Sequence, residues 1–517
     1  MRTRASHIAL VLLSGTTTAL SFPKFNLWVL AWVSLIPLFY VILKHRPKQA
    51  FFYGFLAGLA FNVLLIYWIP AVPAHYGNLS LPFSFLIYIV FVLFLALFWG
   101  LFCLFLSFIS LSFPKSVFLV APFLWVSSEY VLTHLFTGFP WGLLGASQFK
   151  NLMYIQIASA TGIYGLSFFL VLFQSMSVFS LKHRKKWPVF TALGLIFLLH
   201  GLGLLSLRQM PSKESSFTAS VIQGNVSSDI YWDQVTTQEI KNLFERHLDL
   251  SQRAYRDGAQ LIIWPEFSVT LCFSCPQALY QEFKQRLFRF VQETGCTLLI
   301  GTNEIAFRGE KVLYYNTALC LSPDLSISQY YKMHLVPFGE YTPYKKIFAF
   351  IQSMTHAIGD ITPGKEHTLH KFESYPFGSP ICYEIIFPDL VRRFVKKGAQ
   401  FLVAITNDGW YGNSSAPYQH FSMAVIRAVE NRRYLLRAAT TGISGIIDPC
   451  GRIISHSKMM TVTHLTADVS PSMKQTIYTR YGDILAFLSL TFSGAFLILA
   501  MTKRIHAKQK AHKRDRL

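Results

Sequence analysis

Charge is scarce in this sequence, and acidic charge is the scarcest. Asp, Glu, Lys and Arg together make up 14% of the 517 residues, whereas soluble domains carry about 25%. Only 26 residues are acidic, against 47 Lys and Arg. Such a low charged fraction argues against an ordinary soluble protein. It predicts that much of the chain lies in a lipid bilayer.

Long uncharged runs are correspondingly common. About 20 apolar residues cross the hydrocarbon core as a helix, so runs of about 18 or more are candidate spans. The run at 6–22 also has the basic start and short apolar core of a signal peptide. We expect it to be retained, because further spans follow at once. Eight candidate spans lie near residues 6–22, 25–43, 51–70, 83–112, 116–133, 152–181, 188–207 and 484–501.

The distribution of Lys and Arg predicts the orientation of these spans. Basic residues collect in alternate connections, whereas the connections 71–82 and 137–148 contain none. Short cytoplasmic loops carry the excess of positive charge. Both termini are therefore predicted to be cytoplasmic, and residues 208–483 to lie outside the cytoplasm. The basic segments are 1–4, 44–48, Lys115, 182–186 and 503–517.

The same topology accounts for the formal net charge of +21. A strongly basic chain can bind nucleic acid, but here the clusters coincide with predicted cytoplasmic loops and the tail. We therefore expect no nucleic-acid partner. The tail is expected to contact anionic lipid headgroups.

The segment before the last span has a different pattern. Short apolar runs that end in polar or turn residues alternate with segments of helical periodicity, and this alternation predicts an α/β domain. The predicted domains are a membrane domain at 1–207, the α/β domain at 208–483, the last span at 484–501 and a tail at 502–517. The predicted strands are 217–225, 259–268, 296–305, 378–386 and 399–408, and the predicted helices are 233–259, 275–295 and 417–439.

Three reactive side chains fall where apolar runs of this domain end: Glu266, Lys332 and Cys382. A cysteine attacks as its thiolate, and an unperturbed thiol has a pKa of about 8.5. A carboxylate can remove its proton, and an ammonium can stabilise the oxyanion formed at a carbonyl. The three residues are chemically sufficient for acyl transfer. Taken singly, each also fits a structural role: a packed thiol, a helix cap or an ion pair.

The residues around these three resemble a known family. "IIWPEFS" (262–268), "YYKMHLVPFGEYTP" (330–343) and "ICYEIIFPD" (381–389) are similar to the signature blocks of the nitrilase superfamily. "NDGWYG" (407–412) and "GFPW" (138–141) resemble its membrane-embedded branch, the apolipoprotein N-acyltransferases. The resemblance implies an α-helical bundle of eight spans with an αββα sandwich inserted before the last span.

The resemblance also implies a reaction in two steps. A phospholipid would donate an acyl chain to a cysteine as a thioester. The chain would then pass to the α-amine of the diacylglyceryl-modified N-terminal cysteine of an apolipoprotein, giving a triacylated product. In these terms Glu266 is the general base, Lys332 stabilises the oxyanion and Cys382 is the nucleophile.

Five further residues match family positions: Glu340, Tyr383, Glu384, Trp410 and Trp141. They are expected to support the site or contact substrate. For Trp141, an anchoring role at the membrane interface is an equal alternative, because tryptophan collects there in general. No metal or cofactor is expected, and the expected state is a monomer.

Other interpretations remain open at this stage. A membrane-anchored amidase would use the same three residues, although seven spans before the domain exceed what an anchor needs. A transporter would need charges within the spans, and Glu129 is the acidic residue evident there. His334 and His420 could serve as bases, but the resemblance gives that role to Glu266. The lone CxxC at 272–275 does not make a four-ligand zinc site, and it permits a disulfide.

Overall fold

The computed structural model describes residues 2–77, 79–208, 216–226, 236–268, 272–309, 311–343 and 361–514. Residues 233–235 of a predicted helix and 515–517 of the predicted tail lie outside this description. The chain divides into two compact units. Unit 1 comprises Met1–Tyr67, Phe85–Arg208 and Tyr481–Leu517, and unit 2 comprises Trp68–Ser84 and Gln209–Arg480.

Unit 1 is helical. Among the described residues, six helices are long and apolar enough to cross a membrane: α3, α5, α6, α8, α9 and α15. The bounds of the helices are α1 Arg2–Leu20, α2 Ile36–Ile42, α3 Pro47–Leu65, α5 Leu81–Ser112, α6 Val117–His134, α7 Leu152–Ile155, α8 Ala158–His183, α9 Trp187–Arg208 and α15 Ile484–Arg514.

Two predicted spans have a different form from the six. The first is the helix α1, which is not among those that meet the length and hydropathy criteria. The second, at 25–43, is a 3₁₀ helix at Trp28–Trp32 followed by the short α2. Pro37 stands in the first turn of α2. Proline is tolerated there but cannot continue a preceding helix, because it lacks an N–H. Six spans are thus supported, and eight remains a prediction.

The acidic residue inside a span has a structural use. Glu129 of α6 is buried, and its Oε1 accepts hydrogen bonds from Trp125 Nε1 at 2.9 Å and from the backbone N–H of Leu144 at 2.7 Å. It therefore fixes the loop that follows the helix. The Trp141 side chain in that loop is buried, and its ring is parallel to that of Phe139, with 6.1 Å between centroids.

Unit 2 contains two sheets of six strands among the described residues, in the orders β12-β1-β2-β3-β4-β5 and β11-β10-β9-β8-β7-β6. Strands β1, β2 and β3 pair in parallel, as do β7, β8 and β9. The strands are β1 Phe217–Gln223, β2 Leu261–Ile263, β3 Thr297–Arg308, β4 Lys311–Leu321, β5 Ile327–Tyr331, β6 Leu369–Phe372, β7 Tyr375–Gly378, β8 Phe401–Thr406, β9 Leu435–Ala439, β10 Gly445–Ile447, β11 Ile453–His456 and β12 Thr463–Val469.

Helices cover the outer faces of the two sheets. Helix α10 packs on β1 and β2, α12 on β7 and α13 on β9, while β1 contacts β9 from sheet to sheet. The layers are therefore helix, sheet, sheet and helix, and the predicted α/β domain is confirmed. The remaining helices of the unit are α4 Ala71–Tyr76, α10 Thr237–Arg256, α11 Ala278–Thr294, α12 Pro388–Lys396, α13 Ala416–Asn431 and α14 Ile477–Tyr481.

Packing of aromatic side chains explains why α10 and α11 lie together. The rings of Phe244 and Phe283 stack in parallel with 4.0 Å between centroids, and Trp264 packs edge-on against Phe244. All three side chains are buried, and each such ring stabilises the fold through its buried apolar area. The start of α10 is fixed by Thr236 and Glu239, which cap each other's backbone N–H.

One predicted strand is wrong in part. Residues 378–386 were expected to be extended, but β7 ends at Gly378 and Cys382–Ile386 form a 3₁₀ helix. Cys382 adopts a left-handed backbone conformation with φ 50°, which a strand does not allow. Glu384 stabilises the turn by accepting the N–H of Ile381 at 2.7 Å.

Candidate active site

The three reactive side chains lie just beyond strand ends of unit 2. Glu266 follows β2, Lys332 directly follows β5, and Cys382 opens the 3₁₀ helix after β7. All three are buried, with exposed fractions of 2%, 1% and 5%. Buried ionisable groups are costly unless they are paired, so the partners of these side chains define the site.

The ammonium of Lys332 lies between two carboxylates. Its Nζ is 2.8 Å from Glu340 Oε1 and 3.4 Å from Glu266 Oε1. Burial alone would lower the pKa of Lys332, but Glu340 and Glu266 outweigh it and raise this pKa. The lysine is therefore a fixed positive charge over the whole physiological pH range.

Backbone amides and one asparagine hold the two carboxylates. Asn316 Nδ2 donates to Glu266 Oε1 at 2.8 Å and to Glu340 Oε1 at 2.9 Å. The backbone N–H of Asn407 donates to Glu266 Oε2 at 2.7 Å, and that of Val336 donates to Glu340 Oε2 at 2.8 Å. Both acids are thus oriented by donors on each oxygen.

Asn316 was missed by the sequence reasoning. It lies in β4, and its carbonyl accepts the N–H of Lys332 at 2.9 Å, so it is tied to both the lysine and the acids. A signal existed in the sequence, because Asn316 interrupts the apolar part of "YYNTALCL" (314–321). An amide at such a position is buried only when it has partners.

The thiol of Cys382 is held in its neutral form. Burial and the charge of Glu266 raise the pKa of Cys382, and Lys332 opposes them without reversing the shift. A neutral thiol is a weak nucleophile, so the site needs a base when the sulfur attacks. The Glu266 carboxylate lies nearby and can accept this proton as a base.

Glu384 ties the nucleophile segment to the lysine segment. Its Oε1 accepts from Tyr330 Oη at 2.8 Å and from the N–H groups of Met333 and His334 at 2.7 and 3.0 Å. Its Oε2 accepts the N–H of Ile381. Burial raises the pKa of Glu384 to about 7, although the hydrogen bonds from Ile381, His334 and Tyr330 oppose the shift. Glu384 therefore acts on the backbone of both segments.

The predicted Tyr383 and Trp410 lie in the same unit. Tyr383 is buried, with its ring 5.7 Å from His334 and 5.2 Å from Phe387. Trp410 follows β8 and packs edge-on against Tyr76, with 4.4 Å between centroids. Trp141 belongs to unit 1, where it packs on Phe139.

The end of the predicted span 51–70 and the connection 71–82 support this region. Tyr76 Oη donates to the carbonyl of Gly409 at 3.1 Å, and Trp68 Nε1 donates to Gln419 Oε1 at 3.3 Å. Trp68–Ser84 accordingly belongs to unit 2. These contacts hold the residues on either side of Trp410.

The cysteines fall into two groups, those in a disulfide and those outside it. Cys272 and Cys275 form a disulfide, which settles the question that the CxxC spacing left open. Cys382 is not part of a disulfide, and neither are Cys103, Cys296, Cys320 and Cys450. Among the described residues, no group of three or more His, Cys, Asp or Glu side chains could hold a metal ion.

Two family models match the two parts of the chain. The family model described as Carbon-nitrogen hydrolase matches residues 218–478, and that described as Apolipoprotein N-acyltransferase N-terminal domain matches residues 14–176. Among solved structures, Saccharomyces cerevisiae Nit3, a member of branch 10 of the nitrilase superfamily, is 19% identical with a TM-score of 0.38. That match covers 50% of this chain and 90% of Nit3.

Curated relatives match along nearly the whole chain. The apolipoprotein N-acyltransferase of Geobacter metallireducens is 36% identical over 505 residues, covering 96% of this chain and 95% of the relative. That of Wigglesworthia glossinidia brevipalpis is 31% identical over 494 residues, covering 92% and 94%. With both halves matched, this chain belongs to the apolipoprotein N-acyltransferase family.

Proposed function

We propose that this enzyme transfers an acyl chain from a membrane phospholipid, through a thioester on Cys382, to the N-terminal α-amine of a diacylated apolipoprotein. The observation that carries the proposal is the buried assembly of Glu266, Lys332 and Cys382 within a chain of this family. The charge of each group suits one part of an acyl transfer.

In the first step the sulfur attacks the ester carbonyl of the phospholipid. Glu266 takes the thiol proton as the bond between Sγ and the carbonyl carbon forms. The Lys332 ammonium stabilises the negative charge on the carbonyl oxygen. The ester C–O bond then breaks, and the departing lysophospholipid oxygen takes the proton from Glu266. A thioester on Cys382 remains.

In the second step the neutral α-amine of the apolipoprotein attacks the thioester carbon. Its nitrogen loses a proton to Glu266, the C–S bond breaks, and the sulfur of Cys382 takes that proton back. Lys332 stabilises the oxyanion again. The products are an amide and the free thiol, so the enzyme returns to its starting state.

The second carboxylate has a distinct task in this proposal. Glu340 is at 2.8 Å from Lys332 Nζ, nearer than Glu266. It keeps the lysine charged and oriented, which leaves Glu266 available to exchange protons. Tyr383 and Glu384 shape and hold the nucleophile segment, while Trp410 and Trp141 contact lipid or anchor the protein at the bilayer surface.

The proposal includes the topology derived from the basic residues. Eight spans, cytoplasmic termini and an α/β domain at 208–483 on the periplasmic side would present the site to lipoproteins outside the cytoplasm. The enzyme would act as a monomer in the bacterial inner membrane. A hydrolytic amidase is the alternative with the same three side chains.

A transfer assay in lipid vesicles tests the proposal. Purified enzyme is reconstituted with labelled phospholipid and a diacylated lipopeptide, and the labelled amide product is measured. We expect Cys320→Ala, which replaces another buried free thiol, to match the wild type and Cys382→Ala to form no product. Full transfer by Cys382→Ala, or hydrolysis of small amides with no lipopeptide product, would contradict the proposal.

A further inference from the structure

A second cluster of buried charges lies beside the backbone of the nucleophile. The side chains of Asp408, His420 and Arg437 have no exposed surface. They come from three different elements: the 3₁₀ turn after β8, helix α13 and strand β9. None of the three roles assigned above to Glu266, Lys332 and Cys382 uses them.

The cluster is connected by short contacts. Asp408 Oδ2 is 2.7 Å from Arg437 Nη2, and Asp408 Oδ1 is 2.8 Å from His420 Nδ1. His420 Nε2 is 3.1 Å from the backbone carbonyl oxygen of Cys382. Thr406 Oγ1 also donates to Asp408 Oδ1 at 3.1 Å. The chain of contacts therefore runs from Arg437 to the nucleophile.

Proton placement follows from the chemistry of these atoms. A carbonyl oxygen only accepts hydrogen bonds, so Nε2 of His420 carries the hydrogen in the contact with Cys382. Burial alone would raise the pKa of Asp408, but Arg437 and His420 outweigh it and lower this pKa to about 2. Asp408 is thus a permanent carboxylate that holds Arg437. Burial lowers the pKa of His420, so its imidazole is neutral and Nδ1 carries no hydrogen. Nδ1 therefore accepts from Arg437 Nη2 at 3.0 Å.

The nucleophile needs such support. Cys382 has φ 50°, a left-handed conformation that is unfavourable for a residue with a side chain and persists only where the surroundings hold it. The direction in which Sγ projects depends on this backbone. A hydrogen bond to the carbonyl of Cys382 itself acts on the peptide unit that sets that direction.

Close packing leaves little freedom in the cluster. A Cβ built on Gly442 would lie 2.3 Å from Asp408 Oδ2, so the backbone there approaches the carboxylate as only glycine permits. A structural ion pair would need no more than Asp408 and Arg437. The histidine adds a contact whose acceptor belongs to the nucleophile.

We propose that Asp408, His420 and Arg437 form a positioning relay that holds Cys382 in its attacking conformation. Asp408 orients Arg437, Arg437 donates to Nδ1 of His420, and Nε2 of His420 donates to the carbonyl of Cys382. The inference rests on the proposed role of Cys382 as the acylated residue. It predicts that loss of the relay slows acylation without weakening phospholipid binding.

Two substitutions of His420 separate positioning from packing. The amide nitrogen of glutamine reaches the position of Nε2, whereas that of asparagine reaches only the position of Nδ1. We expect His420→Gln to keep the acylation rate within about tenfold of wild type. His420→Asn should slow it about a hundredfold, because a misplacement of about 1 Å costs that much. The KM for phospholipid should be unchanged in both.

The measurement is single-turnover acylation of the full-length enzyme by a defined phospholipid in vesicles, followed by intact mass and normalised to folded protein. Arg437→Lys tests the relay, and Arg433→Lys is its matched control. Arg433 is also buried, but its guanidinium donates to the backbone carbonyls of Ala399, Asn431, Arg432 and Lys474. Only Arg437→Lys should slow acylation.

Equal rates in His420→Gln and His420→Asn would overturn the relay, as would equal slowing by Arg433→Lys and Arg437→Lys. If the wild-type enzyme acylates Cys382 and the variants do not differ, the relay alone fails. If the wild-type enzyme forms no adduct on Cys382, the proposed function fails and the relay with it.

Discussion

At the scale of single residues, the protonation state of the Cys382 thiol is central to the proposed reaction. Burial and Glu266 raise the pKa of the thiol while Lys332 opposes them. The resting site therefore stores a neutral thiol beside a base rather than a thiolate. In the proposed reaction, the thiol therefore loses its proton to Glu266 as the sulfur attacks the substrate carbonyl.

Replacing Glu266 by glutamine should make the Cys382 thiol more acidic and yet slow acyl transfer. Glu266→Gln removes the negative charge that raises the thiol pKa, so alkylation of Cys382 by iodoacetamide should reach its midpoint at a lower pH. Acyl transfer should nevertheless fall by at least about a hundredfold, because the general base is gone. The two rates are measured on the same preparation from about pH 6 up to the most alkaline pH at which the protein stays folded, because the wild-type midpoint lies above the ordinary thiol pKa.

Glu245→Gln is the control for this pair of measurements. Glu245 is half exposed and pairs with Arg286 on the surface of the α/β domain, so neither rate should change. A midpoint in Glu266→Gln that stays in place or moves to higher pH would refute the electrostatic reading of the site.

Asn316 gives a second test at the residue scale. Asn316→Asp replaces the amide that bridges Glu266 and Glu340 by a third carboxylate. We expect at least a tenfold loss of transfer and a loss of about 1–3 kcal/mol in the free energy of unfolding, since both acids lose a buried donor. Chemical denaturation and the transfer assay measure the two effects. Unchanged values in both would mean that the bridge has no role.

At the scale of elements, the ends of strands position the three reactive side chains of the site. The sequence patterns predicted β1, β3 and β8 closely, because each contains a short buried apolar run next to polar or turn residues. The predicted helix at 417–439 is wrong in part, because α13 ends at Asn431 and Leu435–Ala439 form strand β9. Strands β6 and β10 to β12 were not predicted, and neither were β4 and β5. Their alternating aromatic and polar residues, such as Tyr314 to Asn316, do not form the apolar run on which the prediction relied.

Family resemblance supplied what patterns could not. Glu266, Lys332 and Cys382 meet through three separate strand ends, and nothing local in the chain encodes that meeting. The 3₁₀ conformation at Cys382 was also beyond the patterns, because it depends on hydrogen bonds from Ile381 to Glu384 and from His420 to the carbonyl of Cys382. Asn316 was missed because a buried amide is recognisable only once its partners are known.

The disulfide between Cys272 and Cys275 gives a prediction at the scale of elements. It joins two cysteines that are 3 positions apart in the sequence. The two residues between them, Phe273 and Ser274, donate their backbone N–H groups to Glu304. For so short a loop, the chain-entropy relation gives about 2 kcal/mol. The double Ser variant should lose about that much stability and keep its transfer activity.

Thermal unfolding with and without a reductant measures the contribution of this disulfide. The reductant should lower the melting temperature of the wild type and leave that of the double variant unchanged. Cys296→Ser, at a free buried thiol, should respond to the reductant as the wild type does. A large loss of transfer in the double variant would show that the disulfide serves the site.

At the scale of the whole molecule, the distribution of basic residues predicts which side of the membrane holds the α/β domain. Met473 lies in unit 2 and is 80% exposed, and Lys508 lies in the exposed end of α15. Met473→Cys should react with a membrane-impermeant maleimide added to cells whose outer barrier is opened. Lys508→Cys should react only after the inner membrane is permeabilised. The reverse pattern would invert the predicted topology.

The central claim is that Cys382 carries the acyl chain between donor and acceptor. Intact-mass analysis of the enzyme incubated with a defined phospholipid tests it most directly. We expect wild type and Cys320→Ala to gain the mass of one acyl chain, which a lipopeptide amine then removes, and Cys382→Ala to gain none. An adduct on Cys382→Ala, or lipopeptide acylation by a wild-type enzyme that never carries the chain, would contradict the account.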